Sequence, residues 1–156
     1  MFIYTFASFP DKERLHDISK EVFVFSNQLR SDMEELKQGL IEKAPEHIIG
    51  IAKSRGTSRY EPVAVNKFHH GTVIKGGPDV LHLTVPNERV GGLVTSRRSS
   101  RTFCNWTAYH VQTFISSELP DTTFSFVHLN PRDTGAFVRN ILQQKSGWEH
   151  CGNINP

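Results

Sequence analysis

The run His47-Ile48-Ile49-Gly50-Ile51-Ala52 constrains this chain more than any other stretch. Apolar residues follow one another there without the alternation of a half-exposed strand, so the segment reads as a strand covered on both faces. "TFSFVHL" (123–129) is a second apolar strand, and "MFIYTF" (1–6) and "EVFVF" (21–25) are shorter ones, rich in aromatic and β-branched residues. Helical patterns separate them. Ser31 with Glu34 three positions on has the form of a capping box, Met33, Leu36, Leu40 and Ile41 make an apolar stripe, and Pro45 marks the stop. Ala108, Val111, Phe114 and Ile115 predict a helix from Cys104 to about Leu119, and "DTGAFVRNILQQ" (133–144) predicts another. Strands alternating with helices in both halves give the expected class: a single-domain three-layer α/β/α sandwich with a mostly parallel mixed sheet. It spans residues 1–145, followed by an irregular tail over 146–156.

The middle of the chain is less regular. "KSRGTSRYEP" reads as loop, "VAVNKF" (63–68) as strand, and "GTVIKGG" with "VLHLTV" (80–85) as a hairpin across Gly76-Gly77-Pro78. "GLVTS" (92–96) is a further strand candidate.

Composition narrows the function. The chain is 37% apolar and 22% charged, as soluble globular domains are, and a formal charge of +2 gives no reason to expect nucleic acid. No apolar run approaches the about 18 residues of a membrane span, and the N-terminus lacks the basic start of a signal peptide. The two cysteines, Cys104 and Cys151, make neither a disulfide framework nor a metal spacing, so a reducing cytoplasm is the expected compartment.

Chemistry in open α/β sheets collects at the carboxyl ends of strands and at the helix starts that follow. Cys104 and His128 both fall there. Unpaired N–H groups and the macrodipole at a helix start favour a thiolate, and Arg97, Arg98 and Arg101 lie just upstream. The alternative for Cys104 is a buried structural thiol, and for His128 a hydrogen-bonded core residue. Together they have the layout of a thiolate–imidazolium pair, which needs a third group to orient the imidazole. Glu61 is one of several glutamates able to serve. "TSRRSSRTF" with Arg89 leaves open a different class, an anion- or RNA-binding module, although no glycine-rich phosphate loop or aromatic RNA platform accompanies it. His69-His70 lacks metal-site spacing and reads as a loop pair, and His110 as a boundary residue.

Three segments in collinear order, "RYEPVAVNKF", "TFCNWTAYHV" and "FSFVHLNP", resemble the signature segments of the pyroglutamyl peptidase I family of cysteine peptidases. The resemblance implies Glu61, Cys104 and His128 as a catalytic triad, with Asn66, Asn105 and Tyr109 at the family's accompanying positions. It implies a substrate pocket of Phe6, Phe9 and Phe103, with Arg55 where the family has an arginine. Peptides blocked by an N-terminal pyroglutamyl group would be the partners, with no metal or organic cofactor, no nucleic acid and no membrane; a homo-oligomer is one assembly it allows. The departures are a shorter chain, Thr102 in place of a pocket aromatic, "PDK" in place of glycines after Phe9, and residues missing after the first strand and between Glu61 and Cys104, where the family has a crossover helix. A relative with altered substrate or lost activity is therefore the second reading.

Overall fold

In the computed structural model of the chain, the described residues are 1–26, 28–85, 93–97 and 100–151, with side chains described to 144. The elements run β1 Phe2–Phe6, a 3-10 helix Lys12–Asp17, β2 Val22–Phe25, α1 Leu29–Lys43 and β3 His47–Lys53. Next come β4 Arg59–Glu61, β5 Val63–Val65, β6 Val80–His82, β7 Val94–Thr95 and α2 Phe103–Glu118. β8 Thr123–Leu129, a 3-10 turn Pro131–Asp133 and α3 Thr134–Cys151 are the last of the described elements. Six strands form one sheet in the order β2-β1-β3-β8-β4-β7, parallel throughout except where β4 runs antiparallel to β8. β5 and β6 pair separately.

The apolar run at 47–52 is the centre of this sheet. β3 lies between β1 and β8, and its residues from Ile48 to Ala52 are buried. The side-chain period of two then sorts residues to the two faces. Tyr4, Ile48, Ala52, Phe124 and Phe126 meet α1 and α2 through Leu36, Leu40, Ala108 and Ile115. Ile3, Ile49, Ile51, Val127 and Leu129 meet the 3-10 helix and α3 through Leu15, Phe137 and Ile141. This is the expected three-layer arrangement.

Several local expectations are corrected. α1 begins at Leu29, earlier than the Ser31 box predicts, because Leu29 packs onto the α1–α2 face core. Ser31 is thereby inside the first turn, where its hydroxyl donates to the Gln28 carbonyl (3.0 Å), and Glu34 pairs with Lys37 instead (2.8 Å). Buried Asp32 ties the helix start to the strand before it, accepting from the Ser26 amide (2.7 Å). The hairpin partner of 80–82 is Val63–Val65, not "GTVIKGG". α3 runs on to Cys151 where an irregular tail is expected from 146, and residues 152–156 lie outside the described residues. Of "GLVTS", Val94–Thr95 form β7, and Gly92 lies outside the described residues. Between β3 and α2 no helix occurs among the described residues.

Gly50 is where the sheet's centre is tightest. It pairs with Tyr4 on β1 and Phe126 on β8, and the rings of those two residues lie 6.1 Å apart across its face. A Cβ at residue 50 would stand 2.5 Å from the Tyr4 ring and 2.6 Å from Phe126. Both rings are buried and neither can swing into solvent. Gly50→Ala is expected to destabilise the fold by about 2 kcal/mol, an overpacking effect measurable as a lower urea midpoint. An unchanged midpoint would contradict this packing.

Candidate active site

β4 is three residues long and sits in the stretch that reads as loop, yet it delivers the carboxylate. Its antiparallel register pairs Arg59 with His128, Tyr60 with Val127 and Glu61 with Phe126. Tyr60 therefore faces the α3 core while Arg59 and Glu61 face α2, the side on which His128 lies. Glu61 Oε1 is 2.7 Å from His128 Nδ1, and both residues are buried. Arg59 Nε lies 3.3 Å from the same oxygen.

Cys104 approaches from the other layer. Thr102, exposed and extended, precedes α2, so Cys104 is the second residue of that helix. The first helical bond is Trp106 N–H to the Thr102 carbonyl (3.0 Å), which leaves the N–H groups of Phe103, Cys104 and Asn105 without a helical acceptor. Glu61, Cys104, Ala108, Phe126 and His128 line one small cavity. Burial works against a charged His128, but hydrogen bonds to Cys104 and Glu61 and the negative charge of both outweigh it, and its pKa rises to about 9. An imidazole held between a thiol and a buried carboxylate can carry a proton to or from a group bound at the sulfur.

The residues beside these three act on the backbone. Asn105 accepts from the Val65 amide (2.8 Å) and donates to the Val65 (2.8 Å) and Lys67 (2.9 Å) carbonyls, strapping β5 to α2. Asn66 accepts from the Val73 and Ile74 amides and donates to the Ile74 and Gly77 carbonyls, closing the irregular loop upon itself. Tyr109, wholly buried, donates to the Pro78 carbonyl (2.7 Å).

Next to Phe103 is a cavity of about 200 Å3 walled by Phe6, Phe25, Leu29 and Phe103, with Ser8 and Ser26 at its edge. Phe6 and Phe103 meet there. Phe9 does not; it is fully buried in the core on the α3 face. The chain folds back immediately after β1 (Phe9 N–H to the Phe6 carbonyl, 2.8 Å), and that turn carries Phe9 to the opposite face. Arg55 is exposed in the turn after β3 and does not line the cavity around Cys104. Sequence reasoning missed Arg59, whose spacing of two from Glu61 would have put both on one face had β4 been recognised. It also missed Phe25, the register partner of Phe6. Arg97 and Arg101 are exposed, whereas Arg89, Arg98 and the Cys151 side chain lie outside the described residues. His69 is in a loop, and His110 packs on Trp106 (4.2 Å between ring centres). Among the described residues no three His, Cys, Asp or Glu form a group able to hold a metal ion, and no helix is long and apolar enough to cross a membrane.

The raised His128 pKa has a consequence for stability. Charged His128 stabilises the fold fully below the ordinary value of 6.5, and that contribution disappears as pH rises through about 9. The wild type is expected to lose stability on the order of 2–3 kcal/mol across that window, and Glu61→Gln distinctly less. Urea midpoints at pH 6 and pH 10 measure the difference. Equal losses in the two proteins would mean that Glu61 does not hold the charge.

No family model and no curated protein matches the sequence. Solved structures do match the fold. The pyrrolidone carboxyl peptidase of Thermococcus litoralis superposes with a TM-score of 0.72 at 15% identity, over 99% of this chain and 97% of that one. A mutant pyrrolidone carboxyl peptidase from the hyperthermophile Pyrococcus furiosus gives 0.71 at 15% identity, over 91% and 95%. Pyroglutamyl peptidase I of Bacillus amyloliquefaciens gives 0.68 at 15% identity, over 90% and 91%. Such low identity over nearly the whole of both chains speaks to architecture, and on it the chain has the fold of the pyroglutamyl peptidase I, or pyrrolidone carboxyl peptidase, structures.

Proposed function

We propose that the chain is a cysteine exopeptidase that removes an N-terminal pyroglutamyl residue from peptides through a thioester. One observation carries this reading: His128, on a strand end, is bonded to buried Glu61 and lines one small cavity with it and with Cys104, at a helix start. The fold shared with pyroglutamyl peptidases supports it at the level of architecture.

The Cys104 thiolate would attack the pyroglutamyl carbonyl carbon. The oxyanion would be held by the free N–H groups at the start of α2, each such donor being worth about 2.7–4 kcal/mol of barrier. His128 would give its proton to the leaving amine, breaking the C–N bond and leaving the thioester. Water, losing a proton to His128, would then hydrolyse that ester and restore the thiolate. Glu61 stabilises the imidazolium and fixes its orientation. The cavity of Phe6, Phe25 and Phe103 suits a small, uncharged lactam. A reducing cytoplasm would keep the thiol free.

The burial of Phe9 away from that cavity favours a second reading, the same triad acting on a different N-blocked peptide. A panel of pyroglutamyl, acetyl and formyl reporter amides separates the two.

Cleavage of a pyroglutamyl reporter is expected to fall at least about a thousandfold in Cys104→Ala with the fold retained by circular dichroism. Alkylation of Cys104 by iodoacetamide is expected to slow more than about tenfold in His128→Ala, because the thiolate loses its counter-charge. Full cleavage by the alanine variant, or unchanged alkylation, would defeat the proposal.

A further inference from the structure

We propose that Arg59 is a positioning residue of this site, acting through Glu61: by sharing Oε1 with His128 it divides the carboxylate's charge between two cations. Its part in the reaction rests on the peptidase reading above; its geometry stands without it.

The register places Arg59 directly opposite His128 across the β4–β8 pair, on the same face. Its Nε is 3.3 Å from Glu61 Oε1, while Nη1 donates to Ser54 Oγ at 3.3 Å. Ser54 is itself fixed, its amide bonded to the Leu129 carbonyl (2.8 Å) and its hydroxyl to Gly56 and Thr57. The guanidinium therefore spans two anchors, the carboxylate and the loop that docks on the end of β8, through two different nitrogens of one rigid plane. The Arg59 side chain is 34% exposed and that of Glu61 only 7%, so the arginine brings charge to the carboxylate without being buried itself.

Among the described residues, few groups face His128. β4 contributes Glu61 and Arg59, α2 contributes Cys104, and its β3 neighbour Ala52 carries no charge. Tyr4 on β1 lies close enough to feel Cys104, but burial above all drives its hydroxyl pKa well upward, so it stays neutral. Cys104 and Glu61 both favour its charged form. A general acid that holds its proton too firmly gives it poorly to the leaving amine. Among the described residues, Arg59 is the cation in this set, and it draws on the same carboxylate oxygen.

The test is the titration of the His128 ring by NMR in the Cys104→Ala protein, where a single uncoupled group titrates and no turnover is needed. The resonance is assigned by its loss in His128→Asn. Arg59→Met keeps the stem and removes the charge; it is expected to raise the His128 midpoint by about one pH unit, and Arg59→Lys by less. An unchanged or lowered midpoint in Arg59→Met overturns the proposal. With Cys104 intact, the alkaline limb of pyroglutamyl reporter cleavage should move up in Arg59→Met while kcat falls severalfold; a limb that stays put while kcat falls would make Arg59 merely structural and also overturn it. If the wild type cleaves no pyroglutamyl reporter, the peptidase reading fails, and the titration still decides whether Arg59 divides the charge.

Discussion

The site depends on three residues of antiparallel pairing. A carboxylate as buried as Glu61 needs cationic or hydrogen-bonding partners, because desolvation otherwise makes its charge too costly. It finds them only because β4 runs along β8 in a register that sets His128 and Arg59 on its own face. So short a strand cannot hold itself in place. Tyr60 packs into the opposite core, and the loop before β4 is tied to the far end of β8, Ser58 donating to Asp133 (2.5 Å) and Asn130 to the Gly56 carbonyl (2.8 Å). The 3-10 turn after β8 thus secures the strand that carries the carboxylate.

A second constraint holds the thiol. Cys104 could not sit at a free helix start unless something else stabilised that end, and Thr102 offers no side-chain cap. Asn105 supplies the anchor by bonding both the amide and the carbonyl of Val65, so α2 is fixed to the chain just beyond Glu61. Asn66 and Tyr109 extend the same fixture to residues 73–78. The asparagines and the tyrosine that accompany Cys104, His128 and Glu61 are therefore backbone clamps. They keep the two layers in register at the point where sulfur and imidazole meet.

Legibility in the sequence followed periodicity. Residues 47–52 and 123–129 announced buried strands, and the helical stripes of α1, α2 and α3 were visible, because side-chain repeats record which face is covered. β4 was not visible. Three residues with Tyr60 between two charges look like loop, and their strand character comes from the hydrogen bonds of β8. The Ser31 box misplaced the start of α1 because a tertiary contact of Leu29 outweighed a local capping preference, and Phe9 left the expected pocket because the turn after β1 reversed its face. Cys104, His128 and Glu61 drew attention through a helix start, a strand end and a family resemblance; only the resemblance distinguished Glu61 from the other glutamates.

By itself the sequence determined the layers: which segments are strands, which are helices, and that both faces of the sheet are covered, since these follow from apolar repeats within each segment. Tertiary structure alone decided what the charged residues do. Glu61, Arg59 and His128 are far apart along the chain and acquire their meaning from the β4–β8 register, and Cys104 from the packing of α2 above it. A repeat within one segment records its burial, but convergence of segments depends on the hydrogen bonds and packing between them, which no local pattern encodes.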